Sequence, residues 1–180
     1  MVEFQNKERR TKMSSIVMLR VALDTPDLIA DLLSQLQVIN PAMAQFIQSL
    51  DPIPLIKECA QNTIDFLASE SLTGIKKQDF VSNGRINTST WDGVPLIGAL
   101  SHYKFPDGVG VLVMADGAIK FVADDGRDYC GRIDYITRLF KEAFTAQAIK
   151  TILEIMDYQV VLNQRLENNT VVASLEGVKL

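Results

Sequence analysis

Two Asp-Gly pairs and five carboxylates fall within the 24 residues "VLVMADGAIKFVADDGRDYCGRID", Val111 to Asp134. Such a set can hold a divalent cation, move protons, or simply turn the chain. Asp124, Asp125 and Asp128 surround Gly126 as the acids of a calcium loop would, yet the D-x-D-x-D-G order and the distal Glu of that motif are missing. A hydrolase or nuclease would have to use these three aspartates with a divalent ion. The expected role is a turn and the start of a helix, where carboxylates meet free N–H groups. Asp116-Gly117 lies between "VGVLVMA" and "AIKFVA" and predicts a hairpin with a type I′ turn, whose two central residues take positive φ. Its carboxylate then serves the turn.

The remaining chemistry is sparse. His102 is the single histidine, which excludes a multi-histidine metal site, and its place in "ALSHYKF" predicts a structural strand residue. Cys59 and Cys130 are isolated, too few for a disulfide framework or a structural zinc site, and neither "KECAQ" nor "DYCGR" offers a nucleophile setting. No GxGxxG leads into a helix and no GxxxxGK[ST] occurs. No catalytic residue, metal site or cofactor is therefore assigned. One ligand site is conceivable at the turn end of a sheet. There Arg85, Lys104, Arg127 and Arg132 would pair an anionic ligand while Asp92 and Asp125 hold a ribose or amine. Trp91, in "STWDG", is a candidate partner contact, with partial burial under the sheet as the alternative.

The chain has 180 residues, 47% hydrophobic and 22% charged, which suits one domain with a true core. A net charge of −4 and a pI near 5.0 argue against nucleic-acid binding, which needs clustered Lys and Arg. The one basic cluster, "KERRTK", lies in residues 1–12, expected as a mobile tail before a single domain over 13–180. No apolar run reaches 18 residues and no secretory signal is visible, so a cytoplasmic protein that does not bind membranes is expected.

"SSIVMLRVAL" reads as a strand, and "DTPD" then starts a helix, with Thr25 as N-cap and Leu28, Ile29, Leu32, Leu33 and Leu36 as its apolar stripe. Asn40-Pro41 and Asp51-Pro52 repeat that start signal, predicting two more helices. Between Ser82 and Gly126, "SNG", "WDG", "PDG", "ADG" and "DDG" recur at strand-and-turn spacing. They predict an antiparallel meander with strands near Ile86 to Thr90, Pro95 to Tyr103, Gly108 to Met114 and Ala118 to Ala123. From Gly131 a long core helix follows, with Ile133, Ile136, Phe140, Phe144, Ile152 and Met156 at threes and fours. "DYQVVLNQRL" and "NNTVVASLEGV" close the chain as a hairpin with one buried face. The expected fold is α+β: an N-terminal strand and helices, a turn-rich antiparallel sheet, a long core helix and a C-terminal β-hairpin.

In this order "MSSIVMLRVALDTPDLIADLLSQL", "GVLVMADGAIKFVADDGRDY", "YITRLFKEAFTAQAIKTILEIMDYQVV" and "NNTVVASLEG" resemble an uncharacterised family of chloroplast and cyanobacterial reading frames, the ycf type. That family is also met in bacteria and phages as a domain of unknown function. "FVADD" and "MDYQVV" stand where the family has a "VAD" strand end and a "GYQV"-like strand. The resemblance covers Met13 to Leu36 and Val109 to Leu175, and residues 37–103 read against it as a family-divergent insertion. Asp157 replaces the usual Gly before the tyrosine. The resemblance implies a fold and a cyanobacterial or phage setting, and no reaction. The expectation is a non-enzymatic accessory protein with a protein partner or self-association as a homodimer, and the alternative is a small-ligand or nucleotide sensor.

Overall fold

The computed structural model describes residues 16–23, 30, 34, 37–38, 41–70, 74–83, 85–124 and 130–179. In chain order the elements are β1 (Ile16–Leu23), α1 (Pro41–Gln48), α2 (Pro52–Ser69), β2 (Lys76–Gln78), β3 (Val81–Ser82), β4 (Asn87–Thr88), β5 (Thr90–Trp91), β6 (Val94–Pro95), β7 (Gly98–His102), β8 (Phe105–Val113), β9 (Ile119–Asp124), α3 (Cys130–Ile155), β10 (Tyr158–Glu167) and β11 (Thr170–Lys179). The fold is α+β. No helix of the described residues is long and apolar enough to cross a membrane.

A five-stranded antiparallel sheet in the order β1-β9-β8-β7-β2 forms the centre. Alternation along β8 and β9 sends side chains to two faces. Val109, Val111, Val113, Ile119, Phe121 and Ala123 enter the main core with α2 and α3. Leu112 and Val122 enter a smaller core with Val81 and Ala99, covered by Trp91, Val94, Leu96 and Met114. Strand β8 is therefore buried on both sides, which explains why its sequence is a nearly continuous apolar run.

Helices α1 and α2 start where the proline signals place them. Asp51 caps α2 by accepting a hydrogen bond from Ile53 N at 3.0 Å, with Pro52 in the first turn, where a missing N–H costs nothing. Helix α2 buries Ile56, Cys59, Ala60, Ile64 and Leu67, and α3 buries Ile136, Leu139, Phe140, Ala143 and Phe144. Residues 37–103 thus contribute α2 and β7 to the main core and the central sheet. Of the helix expected from Thr25 to Leu36, only Ala30 and Ser34 are described. Both are helical and exposed, as are Gln37 and Val38. The tail at residues 1–12 lies outside the described residues.

Two expectations are corrected. The strand expected over Ile86 to Thr90 is no part of the meander. It divides into β4, which pairs with β3, and β5, which pairs with β6, and these short ribbons form the flap over the smaller core. Its residues are mostly polar and offer no second apolar face for a central strand to bury. The Asp116-Gly117 turn also differs from type I′. Gly117 has φ +86 and Asp116 is not among the positive-φ residues, while Gly117 N donates to Met114 O at 3.0 Å. The turn is type I followed by a glycine bulge, and Asp116 Oδ1 accepts from Ala118 N at 3.0 Å, so the carboxylate does serve the turn. Type I′ geometry occurs at Asp92-Gly93, φ +48 and +77, and at Asn168-Asn169, φ +49 and +62.

The flap comes closest to the sheet at Gly110. A methyl group there would lie 2.8 Å from the Val81 side chain and 2.9 Å from those of Leu96 and Val122. Gly110→Ala is expected to cost about 1–3 kcal/mol by overpacking, read as a lower urea midpoint. An unchanged midpoint would mean that the flap yields to a methyl group without cost.

Candidate functional site

The chain ends in a two-stranded ribbon, β10–β11, paired with each other and with no other strand of the described residues. Helix α3 ends at Asp157, φ +60, a left-handed C-terminal position that a glycine occupies more readily. This reversal sends β10 back along α3. The register runs from Tyr158↔Lys179 to Glu167↔Thr170.

Polar contacts seat the ribbon on the helix. Gln164 donates to Ala143 O at 3.1 Å and accepts from Gln147 Nε2 at 2.9 Å. Arg138 Nη2 donates to Asn169 O at 2.8 Å, and Val171 N donates to Glu142 Oε2 at 2.9 Å. Leu166 and Val171 add apolar contact with the main core. Along β10 every second residue is half-buried and the rest are exposed, so the ribbon rests on one face only. Its outer face presents Val161, Val172 and Val178, exposed by 53%, 38% and 71%.

The turn fixes which backbone groups are spoken for. A two-residue type I′ turn makes Glu167 and Thr170 a hydrogen-bonded pair, and alternate pairs follow it. The N–H groups of Val171, Ala173, Leu175 and Gly177 therefore point away from β10. Glu142 takes the one at Val171. Between Thr170 and Val178 the strand carries a single charge, Glu176.

A second feature is a shallow open cleft among α1, α2 and α3, with a volume of about 50 Å³, lined by residues such as Leu50, Leu55, Ile56, Phe144 and Ile152. Its polar groups are Cys59 and Thr151, whose Sγ and Oγ1 lie 3.3 Å apart. Burial pushes the Cys59 thiol above its ordinary 9.0, against the opposing hydrogen bond from Thr151. A buried thiol of this kind is unreactive.

Of the residues nominated from sequence, Arg85, Asp92 and Lys104 belong to neither the ribbon nor the cleft lining. Arg85 sits in a loop closed by Asn83, whose Oδ1 accepts from Arg85 N and Ile86 N. Asp92 occupies the β5–β6 turn. Lys104 occupies the β7–β8 turn, its Nζ 5.6 Å from the Tyr103 ring centroid. Asp125, Asp128, Gly126 and Arg127 lie outside the described residues, and Arg132 is placed only as backbone in the first turn of α3. Asp124 ends β9 as a buried residue. Among the described residues no three His, Cys, Asp or Glu side chains gather as a cation would require.

Trp91 is half-buried against the smaller core. His102 stacks on Phe105 at 5.1 Å, and its Nδ1 accepts from Lys104 N at 3.2 Å, a structural role. The edge of β11 escaped the sequence reading, although its poverty in charge was visible there. The cleft had no such signal, because its lining reads as ordinary core. Scans of family models, of curated proteins and of solved structures found no match to this chain.

The raised thiol has a consequence for stability. Because the folded state favours the neutral form, the contribution of Cys59 is fully present below pH 9.0 and is lost as pH rises through the folded value. Urea melts should show wild type losing stability on the alkaline side more steeply than Cys59→Ser. Parallel pH profiles for the two chains would rule out this origin.

Proposed function

We propose that this chain is a non-enzymatic interaction protein whose working surface is the β10–β11 ribbon. One observation carries the reading: the fold ends in two ten-residue strands held on a single face by α3, with no neighbouring strand at either edge among the described residues. Unpaired strand edges bind other chains by completing the ladder. The proposal includes the ycf-type resemblance, carried by "FVADD" and "MDYQVV", and with it a cytoplasmic place in a cyanobacterial or phage setting. Light scattering of the purified chain and cross-linking in cells that produce it test the reading together. The expected outcome is a mass above 20.0 kDa or a ribbon cross-link to a defined protein. A 20.0 kDa particle at every concentration, with no ribbon cross-link, overturns it.

A second reading, a small-ligand sensor, draws its support from the cleft. An apolar lining with one thiol and one hydroxyl, bonded to each other, suits an acyl or similar apolar group better than a nucleotide phosphate. In a thermal-shift series a medium-chain fatty acid should then raise the melting temperature while nucleotides do not. At a hundredfold excess over the dissociation constant, the added stability is about 2.7 kcal/mol. A nucleotide response without a fatty-acid response would return attention to the turn residues Arg85, Asp92 and Lys104.

A further inference from the structure

The structure assigns the free edge of β11 to a second copy of this chain, paired antiparallel about Leu175, so that two ribbons join as one four-stranded sheet in the order β10-β11-β11-β10. This inference rests on the interaction reading above and names the partner and the register.

The central sheet and the ribbon present four edges among the described residues, and three carry features that discourage pairing, while the flap strands β3 to β6 are only two residues long. Strand β2 has only three residues, of which Lys76 and Lys77 are charged, and Lys77 Nζ pairs with Asp65 at 2.7 Å. Strand β1 is interrupted by a bulge between Leu19 and Ala22. Strand β10 exposes Gln159, Asn163, Arg165 and Glu167 on its outer face, the last two ion-paired at 2.6 Å. Short length, lysines, bulges and outward charges are the means by which proteins guard sheet edges. Strand β11 is ten residues long, and its two charged residues, Glu176 and Lys179, lie in its last four positions, so Thr170 to Leu175 carry no charge.

The free backbone groups select the register. Antiparallel self-pairing must join residues whose N–H and C=O both point outward, which on β11 are the odd-numbered positions. Centring on Ser174 would set Val171 opposite Gly177, a pair that is only half-made because the Val171 N–H is already given to Glu142. Centring on Glu176 would set two like charges directly opposite, which is unfavourable. Centring on Leu175 pairs Ala173 with Gly177 of the second copy and Leu175 with its own mate. Three donors from each copy then make six interchain hydrogen bonds, and the Val171 cap is left intact. On the outer face the same register sets Val172 opposite Val178 of the second copy, two exposed valines that gain an apolar neighbour. Glu176 falls opposite Ser174, with no opposing charge. Backbone donors, apolar pairs and charge agree on one centre.

Light scattering over a concentration series should give twice the 20.0 kDa chain mass. Ala173→Pro deletes an N–H that points away from β10, so the chain should keep its far-ultraviolet spectrum and become monomeric. Should the proline disturb β11 itself, the double variant Val172→Lys, Val178→Lys leaves the backbone untouched and sets ammonium groups opposite each other across the interface. It too should be monomeric. Oxidising a mixture of Ser174→Cys and Glu176→Cys chains should yield a disulfide between positions 174 and 176, mapped by mass spectrometry, because non-hydrogen-bonded cross-strand pairs lie close enough to bridge. A dimer indifferent to both sets of substitutions overturns the β11 assignment while the interaction reading survives. A monomeric wild type whose ribbon cross-links to a different protein overturns the second copy as partner, and again leaves that reading in place. A monomer with no ribbon cross-link defeats both.

Discussion

The rings of Phe121 and Phe140 meet edge to face with centroids 5.4 Å apart, and Phe140 in turn stacks on Phe144 at 6.0 Å. These contacts seat α3 on the central sheet, and the rest of the architecture depends on that seat. Helix α3 serves two sheets. One side presents Ile136, Leu139, Phe140, Ala143 and Phe144 to the sheet, and another presents Arg138, Glu142 and Gln147 to the ribbon. Aromatic burial of this extent contributes on the order of 2–3 kcal/mol per ring, whereas the exposed Arg138–Glu142 pair adds less than about 1 kcal/mol. The apolar contacts hold the helix, and the polar ones decide where the ribbon lies upon it.

Much of the fold was legible because two periods and a few caps are strong local signals. The long helix, the proline-led starts of α1 and α2, and the closing hairpin all follow from residues within a turn or two of one another. The flap was not legible. Strands β3 to β6 are two residues long, too short for an alternation pattern to announce; β3 and β4 pair across a loop closed by the Asn83 side chain, and β5 and β6 across the Asp92-Gly93 turn. The place of β1 beside β9 joins segments a hundred residues apart and leaves no trace in local pattern. Turn type was misjudged at Asp116-Gly117 for a related reason. An Asp-Gly pair fits both a type I′ turn and a type I turn with a glycine bulge, and the pairing on either side decides between them.

The site was less legible than the fold. Reasoning by residue type nominated Arg85, Asp92 and Lys104 because charged groups on turns can bind ligands, and turns also collect such residues for their own geometry. Asp92 takes a left-handed position, and Arg85 lies within a loop capped by the Asn83 side chain. The ribbon edge is defined by backbone groups, which every sequence possesses, and only the register shows which of them are free. The cleft is a similar case. Leu50, Leu55, Ile56 and Ile152 look like core in sequence, and whether core side chains meet or leave a gap is a property of how three helices converge.

Glu142 connects the helix to the behaviour of the edge. A carboxylate that accepts one backbone N–H withdraws that donor from any ladder, and it does so at the end of β11 nearest the turn. Because self-pairing by a two-fold axis uses donors symmetrically, removing Val171 at one end also removes the partner it would have met at the other. In the proposed self-pairing the contact is thereby displaced toward the strand's middle, where Ala173, Leu175 and Gly177 bear small or apolar side chains and no charge. The same carboxylate, held by Arg138 at 3.4 Å one turn away on α3, ties that selection to the helix's position on the sheet. The aromatic seat of α3 thus sets which part of a distant strand edge remains open.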